Sequence, residues 1–126
     1  MTSSHTLNDD GGQIEAITEV VRDLYYGGWF AGDAERMRRS LHRDLVKRDL
    51  TDGQVDTDTA ASMIEATIRG VGTQHPPERR RVEVIVDHVH GDIATAHATG
   101  DVYVDYLQLV RIDGTWSILN ALWARA

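Results

Sequence analysis

One carboxylate stands in the middle of an apolar strand. In VDYLQLV, alternation places Asp105, Leu107 and Leu109 on one face and Val104, Tyr106, Gln108 and Val110 on the other. Both faces are largely apolar, so Asp105 meets an apolar setting whichever face is inner. A carboxylate there must be paired, hydrogen-bonded or kept protonated by a raised pKa. The plain reading ties it to a nearby Arg or Trp N–H. The chemical reading makes it a neutral acid that donates a hydrogen bond to a developing oxyanion. Asp49, in VKRDL, is a second acid among strand-like neighbours, sharing its face with Lys47 and Leu45. Taken alone it reads as an edge-strand charge at solvent. In LYYGGWFAGDAERM, Tyr25 and Trp29 lie four apart on one helix face, where a phenol and an indole N–H can converge on one spot. Tyr26 and Phe30 are expected to pack outward, against the sheet rim or a partner chain. His42 closes the second helix beside Arg43, a position where a histidine sits comfortably without function and from which it could assist proton transfer.

Other chemistries are poorly supplied. His88 and His90 share a strand face and His97 could join them from a neighbouring strand, but there is no cysteine and no ligand spacing of a zinc site, so no metal is expected. No glycine-rich phosphate loop or nucleophile elbow is present, and no cofactor is expected. A formal net charge of -7 argues against nucleic acid or an anionic membrane as partner, because phosphate binding needs a positive field. No apolar run has the length of a bilayer span and the N-terminus has no basic and apolar leader pattern, so a cytoplasmic location is expected.

The elements that must position these residues follow from period and punctuation. The 126 residues suit one domain, taken as 13–126 behind a polar, flexible tail at 1–12. From Gln13, the positions Ile14, Ile17, Val21, Leu24, Tyr25 and Gly28 give one helix face up to Phe30. Gly32 suits a left-handed C-terminus and Asp33 the N-cap of a second helix, with Ala34, Met37 and Leu41 inward and Arg36, Arg38, Arg39 and Arg43 outward. Residues 44–51 read as a short strand ended by Asp52-Gly53. Asp56, Thr57 or Asp58 then caps a third helix with the stripe Ala60, Ile64, Thr67, Ile68, Val71, and Pro76-Pro77 forbids its continuation. ERRR, 78–81, reads as loop. Four strands follow, joined at Gly91-Asp92, Gly100-Asp101 and Asp113-Gly114. This order predicts an α+β domain, three N-terminal helices packed on one face of a strongly bent antiparallel sheet, with a pocket at the mouth of the resulting cone. Strand parity in the last hairpin stays open. A two-residue Asp-Gly turn puts Leu122 on the Asp105 face, and a loop one residue longer puts Trp123 there.

YYGGWFAGDAERM, the SLHRDLVKRDL that follows it and VDYLQLVRIDGTWSILNALW carry a resemblance. From about Ile14 to the C-terminus the chain resembles the NTF2-like superfamily, within it the SnoaL-like and putative lumazine-binding-like groups. The resemblance implies a cone of three helices on a bent sheet, a homodimer through the outer sheet face and a ligand pocket at the mouth. More distantly the chain is similar to ketosteroid isomerase. Aligned on Ala31-Gly32-Asp33, that likeness places an oxyanion-hole tyrosine at Tyr25, a general-base aspartate at Asp49, a protonated aspartate at Asp105 and a pocket aromatic at Trp123. Leu50 departs from the proline expected after the base.

What the resemblance implies is a cofactor-independent, small-molecule enzyme of acid–base type, an isomerase, cyclase or dehydratase of secondary metabolism acting on an enolisable carbonyl compound. Asp49 would take the α-proton, Tyr25 and Asp105 would donate hydrogen bonds to the enolate, and His42 would assist. Trp29, Met63, Leu107, Leu109 and Trp123 would wall the pocket. The fold also hosts non-catalytic binding and assembly modules. That alternative predicts an Asp49 facing solvent or paired with Arg48 or Arg43, and a pocket too small for a ligand.

Overall fold

The computed structural model describes the backbone of residues 3–126 and the side chains from Gly11 onward. Helix α1 (Ser3–Glu19), a π-helical segment (Val20–Tyr26) and α2 (Gly27–Ala31) run on as one rod, since the residues at both junctions keep right-handed helical backbone angles. The tail expected at 1–12 falls on residues and side chains mostly outside this description, and the backbone of 3–12 belongs to α1. Gly32, at φ 68°, ends the rod, and the Asp33 side chain accepts the Arg36 N–H at 3.2 Å to cap α3 (Ala34–Ser40). Arg36, expected outward, is half-buried instead, its guanidinium donating to the Asp23 carbonyl.

More aromatics of the rod face the sheet than the sequence predicts. Ile17, Val21, Tyr25 and Gly28 point inward as the helical period predicts. Tyr26 and Phe30 do not pack outward: they are 3% and 8% exposed. The Gly27 N–H reaches back five residues to the Arg22 carbonyl, and the consecutive Tyr25 and Tyr26 both lie buried on the inner side of this wider turn.

After α3 come β1 (Leu41–Thr51) and β2 (Gln54–Thr59), paired antiparallel across a tight turn in which Asp52 and Gly53 take φ 51° and 77°. Here the structure corrects the sequence reading. Asp56, Thr57 and Asp58 cap no helix; they belong to β2, and the cap of α4 (Ala60–Ile68) is Thr59, which accepts the Ser62 N–H at 3.2 Å while Ser62 Oγ accepts the Thr59 N–H at 2.8 Å. Several adjacent Asp and Thr residues offer equivalent caps, and only the β1 pairing decides how far the strand runs. Ala60, Met63 and Thr67 of α4 are buried, whereas Ile68 and Val71 are exposed near its end.

The remaining strands are β3 (Val82–His90), β4 (Ile93–Gly100), β5 (Tyr103–Ile112) and β6 (Thr115–Arg125). The sheet has the order β2-β1-β6-β5-β4-β3. It is mixed rather than wholly antiparallel, because β1 and β6 pair in parallel. That pairing joins the first and the last strand in the sequence, and no hairpin signal announces it. The Asp113-Gly114 turn is the two-residue kind, pairing Ile112 with Thr115. A bulge at Leu119 then shifts the register by one residue, so Trp123 comes opposite Asp105 and Leu122 opposite Tyr106 on the outer face. Ile17, Val21, Met37, Leu107, Leu109 and Ile118 form the fully buried centre between the helices and the sheet. Among the described residues no helix is long and apolar enough to cross a membrane.

Candidate functional site

A cavity of about 260 Å³ opens between the helical rod, α4 and the inner face of β1, β5 and β6. The rod contributes Tyr25, Tyr26 and Trp29, α4 contributes Met63 and Ala66, and the sheet contributes Lys47, Asp58, Tyr103, Asp105, Trp123 and Arg125. Trp29 can seat itself because Gly72 has no side chain: a Cβ there would lie 2.6 Å from the indole Cδ1. The Trp29 Nε1–H donates to the Tyr103 hydroxyl at 3.1 Å, and that hydroxyl lies 3.0 Å from His75 Nε2, which fixes the outer wall.

At the inner end two polar pairs meet. The Tyr26 hydroxyl donates to Asp105 Oδ2, while Asp105 Oδ1 and Trp123 Nε1 are buried with no partner among the described residues. An unmade hydrogen bond at a buried polar atom costs about 1–3 kcal/mol. The two atoms belong to residues that are paired across β5 and β6 and that both line one cavity. Asp105 is 1% exposed, and burial pushes its carboxyl above the ordinary range against the pull of Lys47 and the Tyr26 hydrogen bond. Beside it, Lys47 Nζ donates to the Tyr25 hydroxyl at 2.5 Å and lies 5.0 Å and 5.2 Å from the ring centroids of Tyr25 and Trp123. Burial lowers the Lys47 amine, against the opposing fields of Asp105, Asp58 and Asp49. The same burial, helped by the Asp105 charge, drives the phenols of Tyr25 and Tyr26 up. Burial at this end of the cavity thus pushes each of these groups toward its neutral form.

Of the residues singled out in the sequence, Tyr25, Asp105, Trp29, Met63 and Trp123 surround this cavity. Leu107 and Leu109 share the Asp105 face but lie in the core rather than in the lining, 2% and 1% exposed. Asp49 shares the Lys47 face of β1, two residues nearer the hairpin tip; it is half-exposed, accepts the Thr51 hydroxyl at 2.5 Å and is not in the lining. His42 stands on β1 just after α3, its Nδ1 accepting the Asp44 N–H at 3.0 Å, away from the cavity. His97 pairs with Asp87 at 2.9 Å, and among the described residues no group of three His, Cys, Asp or Glu side chains comes together as a metal site.

Sequence reading missed Tyr26, Lys47 as a member of the site, Asp58 and Tyr103. Two carried a legible signal: Tyr103 has the parity of Asp105, and Lys47 is the single lysine beside twelve arginines, two residues from buried Leu45. Tyr26 needed a wider inward stripe and Asp58 needed β2.

The family model described as putative lumazine-binding matches residues 12–124. No curated protein matches the chain. An NTF2-like protein of unknown function from Silicibacter pomeroyi superposes with a TM-score of 0.71 at 19% identity, over 100% of both chains. One from Shewanella baltica, also of unknown function, does so with a TM-score of 0.71 at 18% identity, covering 89% of this chain and 92% of the other. A third, from Cytophaga hutchinsonii, reaches 0.66 at 18% identity over 89% and 97%. At such identities the likeness speaks for the fold.

Proposed function

The chain belongs to the putative lumazine-binding family and has the NTF2-like fold, and from that premise we propose that its cavity binds a small enolisable carbonyl compound and acts on it by acid–base chemistry. The single observation behind this reading is the orphaned Asp105 Oδ1 beside the orphaned Trp123 Nε1 in one aromatic-walled cavity. With Oδ2 engaged by Tyr26, a protonated Asp105 carries its proton on Oδ1 and donates it to the substrate oxygen. The Trp123 N–H is the second donor. Two donors meeting one substrate oxygen would stabilise the enolate that forms when an α-proton leaves. The proton acceptor in this reading is Asp58, the carboxylate that lines the cavity on β2 opposite Lys47, in the role expected of Asp49. An isomerase, cyclase or dehydratase needs no further apparatus for this step.

The test needs no knowledge of the natural substrate. Benzylacetone, an enolisable aryl-alkyl ketone, is incubated with the protein in D2O and its α-deuteration followed by NMR. Wild type is expected to accelerate exchange and Asp105→Ala to abolish the acceleration; exchange at the buffer rate with both proteins overturns the reading.

A second reading, a non-catalytic binding module, is favoured by the position of Asp49 outside the lining. It expects saturable binding of such ketones with no exchange. Either reading takes the outer sheet face, where Tyr106 and Leu122 are 62% and 55% exposed, as the contact of a homodimer.

A further inference from the structure

We propose that the ε-amine of Lys47 is a nucleophile that captures the carbonyl carbon of the bound compound as an iminium ion. The inference rests on the reading that carbonyl compounds enter this cavity, and it goes beyond hydrogen-bond catalysis by assigning a covalent step.

Position comes first. Lys47 projects from β1 into the same cavity as Asp105, with Nζ held by the Tyr25 hydroxyl at 2.5 Å and lying 5.0–5.2 Å from the Tyr25 and Trp123 ring centroids. A carbonyl whose oxygen accepts from Asp105 Oδ1 and Trp123 Nε1 therefore enters beside the amine. The carboxylates around it come from three strands, Asp105 on β5, Asp58 on β2 and Asp49 on β1. Composition is the second observation. Twelve of the thirteen basic residues are arginine, and the one lysine is the one that lines the inner cavity beside Asp105. A guanidinium cannot lose its proton in a protein, whereas an amine can, so this position holds the only basic side chain of the chain able to act as a neutral nitrogen nucleophile of this strength. Burial lowering that amine supports the same assignment.

The step balances within the cavity. The Nζ lone pair forms the C–N bond while the carbonyl π pair moves to oxygen, which takes the proton released by the ammonium through the Tyr25 hydroxyl. The carbinolamine C–O bond then breaks, its oxygen leaving as water with the Asp105 proton. Neutral amine and neutral acid become iminium and carboxylate, a mutually stabilising pair. The iminium acidifies the α C–H bond; that proton goes to Asp58, and the electron pair flows to nitrogen as the enamine.

Reductive trapping tests it. Wild type is incubated with benzylacetone, and separately with 3-phenylpropanal, then treated with sodium borohydride and read by intact mass and peptide mapping. A single adduct on the peptide bearing Lys47 is expected, with α-exchange about a hundredfold slower in Lys47→Arg. The trapping needs no variant, so a Lys47→Arg that fails to fold leaves the result intact. Accelerated exchange with no Lys47 adduct overturns the iminium and leaves acid–base chemistry standing. An adduct confined to other amines overturns it equally. Absence of both exchange and adduct overturns this proposal together with the reading beneath it.

Discussion

Asp105 at the centre of the sheet and Asp49 near the tip of the β1–β2 hairpin are both acids in strands, the first with Leu107 two positions on, the second with Lys47 and Thr51 on either side of it on its face. In the folded chain they separate. Asp105 lies between β4 and β6 and under the helical rod, 1% exposed, with one oxygen on Tyr26 and the other orphaned. Asp49 lies between Asp56 of β2 and Trp123 of β6, near the hairpin tip that carries exposed Leu50 and Val55, and its carboxylate accepts the Thr51 hydroxyl. Alternation identifies the face a residue shares; coverage by another layer decides whether that face is dry. In Asp105 the dry setting raises the proton affinity of the carboxylate.

The strongest way to break this contrast is Asp105→Ala, expected to slow benzylacetone exchange by about a hundredfold or more while leaving the Tyr26 hydroxyl without its acceptor. NMR exchange and a thermal melt read the two effects separately. Next comes Trp123→Phe, which keeps an aromatic wall but removes an orphaned donor; exchange is expected to fall about tenfold with no loss of stability, since an unsatisfied buried N–H is relieved.

A smaller effect appears in stability against pH. The folded Asp105 pKa lies above its ordinary 3.8, so the folded state binds the extra proton and the associated stability is present below that value and lost as pH rises through the raised one. Lys47 has the opposite slope: its folded pKa lies below the ordinary 10.5, so stability is gained as pH rises through that window. Asp105→Asn is therefore expected to flatten the acid-side decline, read as urea midpoints between about pH 4 and about pH 8. The smallest effect sharpens the contrast from the other side. Asp49→Asn is expected to change stability by no more than about 0.5 kcal/mol and exchange by no more than about twofold. A loss as large as that of Asp105→Ala would mean that Asp49 reaches the bound substrate.

Much of the frame was legible along the chain. The Gly32-Asp33 junction, the Asp113-Gly114 turn and the alternation of β5 are local events, decided by a left-handed glycine, a capping carboxylate and a period of two. Those signals put Asp105, Leu107 and Leu109 on one face without any tertiary contact. The wrong or missing readings share a cause: each turned on a register that neighbouring residues do not fix. Tyr26 and Phe30 were assigned outward because the inward stripe was drawn narrowly through Tyr25 and Trp29, whereas in the structure the buried face of the π turn over 20–26 and of α2 includes them. Alternation alone could not rank Leu122 and Trp123, the latter favoured only by the family resemblance, because the bulge at Leu119 lies inside β6, where pairing with β5 and not the turn sets it. β2 stayed hidden because its six residues, QVDTDT, bury almost nothing and exist as a strand only through β1.

By itself, then, the sequence determined a single α+β layer order, an apolar strand face holding one carboxylate, and the lone lysine among arginines. Tertiary structure alone decided that Tyr26 rather than Tyr25 bonds that carboxylate, that Lys47 and Asp58 rather than Asp49 and His42 share its cavity, and that Trp123 stands opposite it. The division has a physical origin. Caps, turns and alternation are set by the backbone preferences of a few adjacent residues, whereas burial, orphaned polar atoms and shifted proton affinities arise only when strands distant in sequence close against the helices and exclude water.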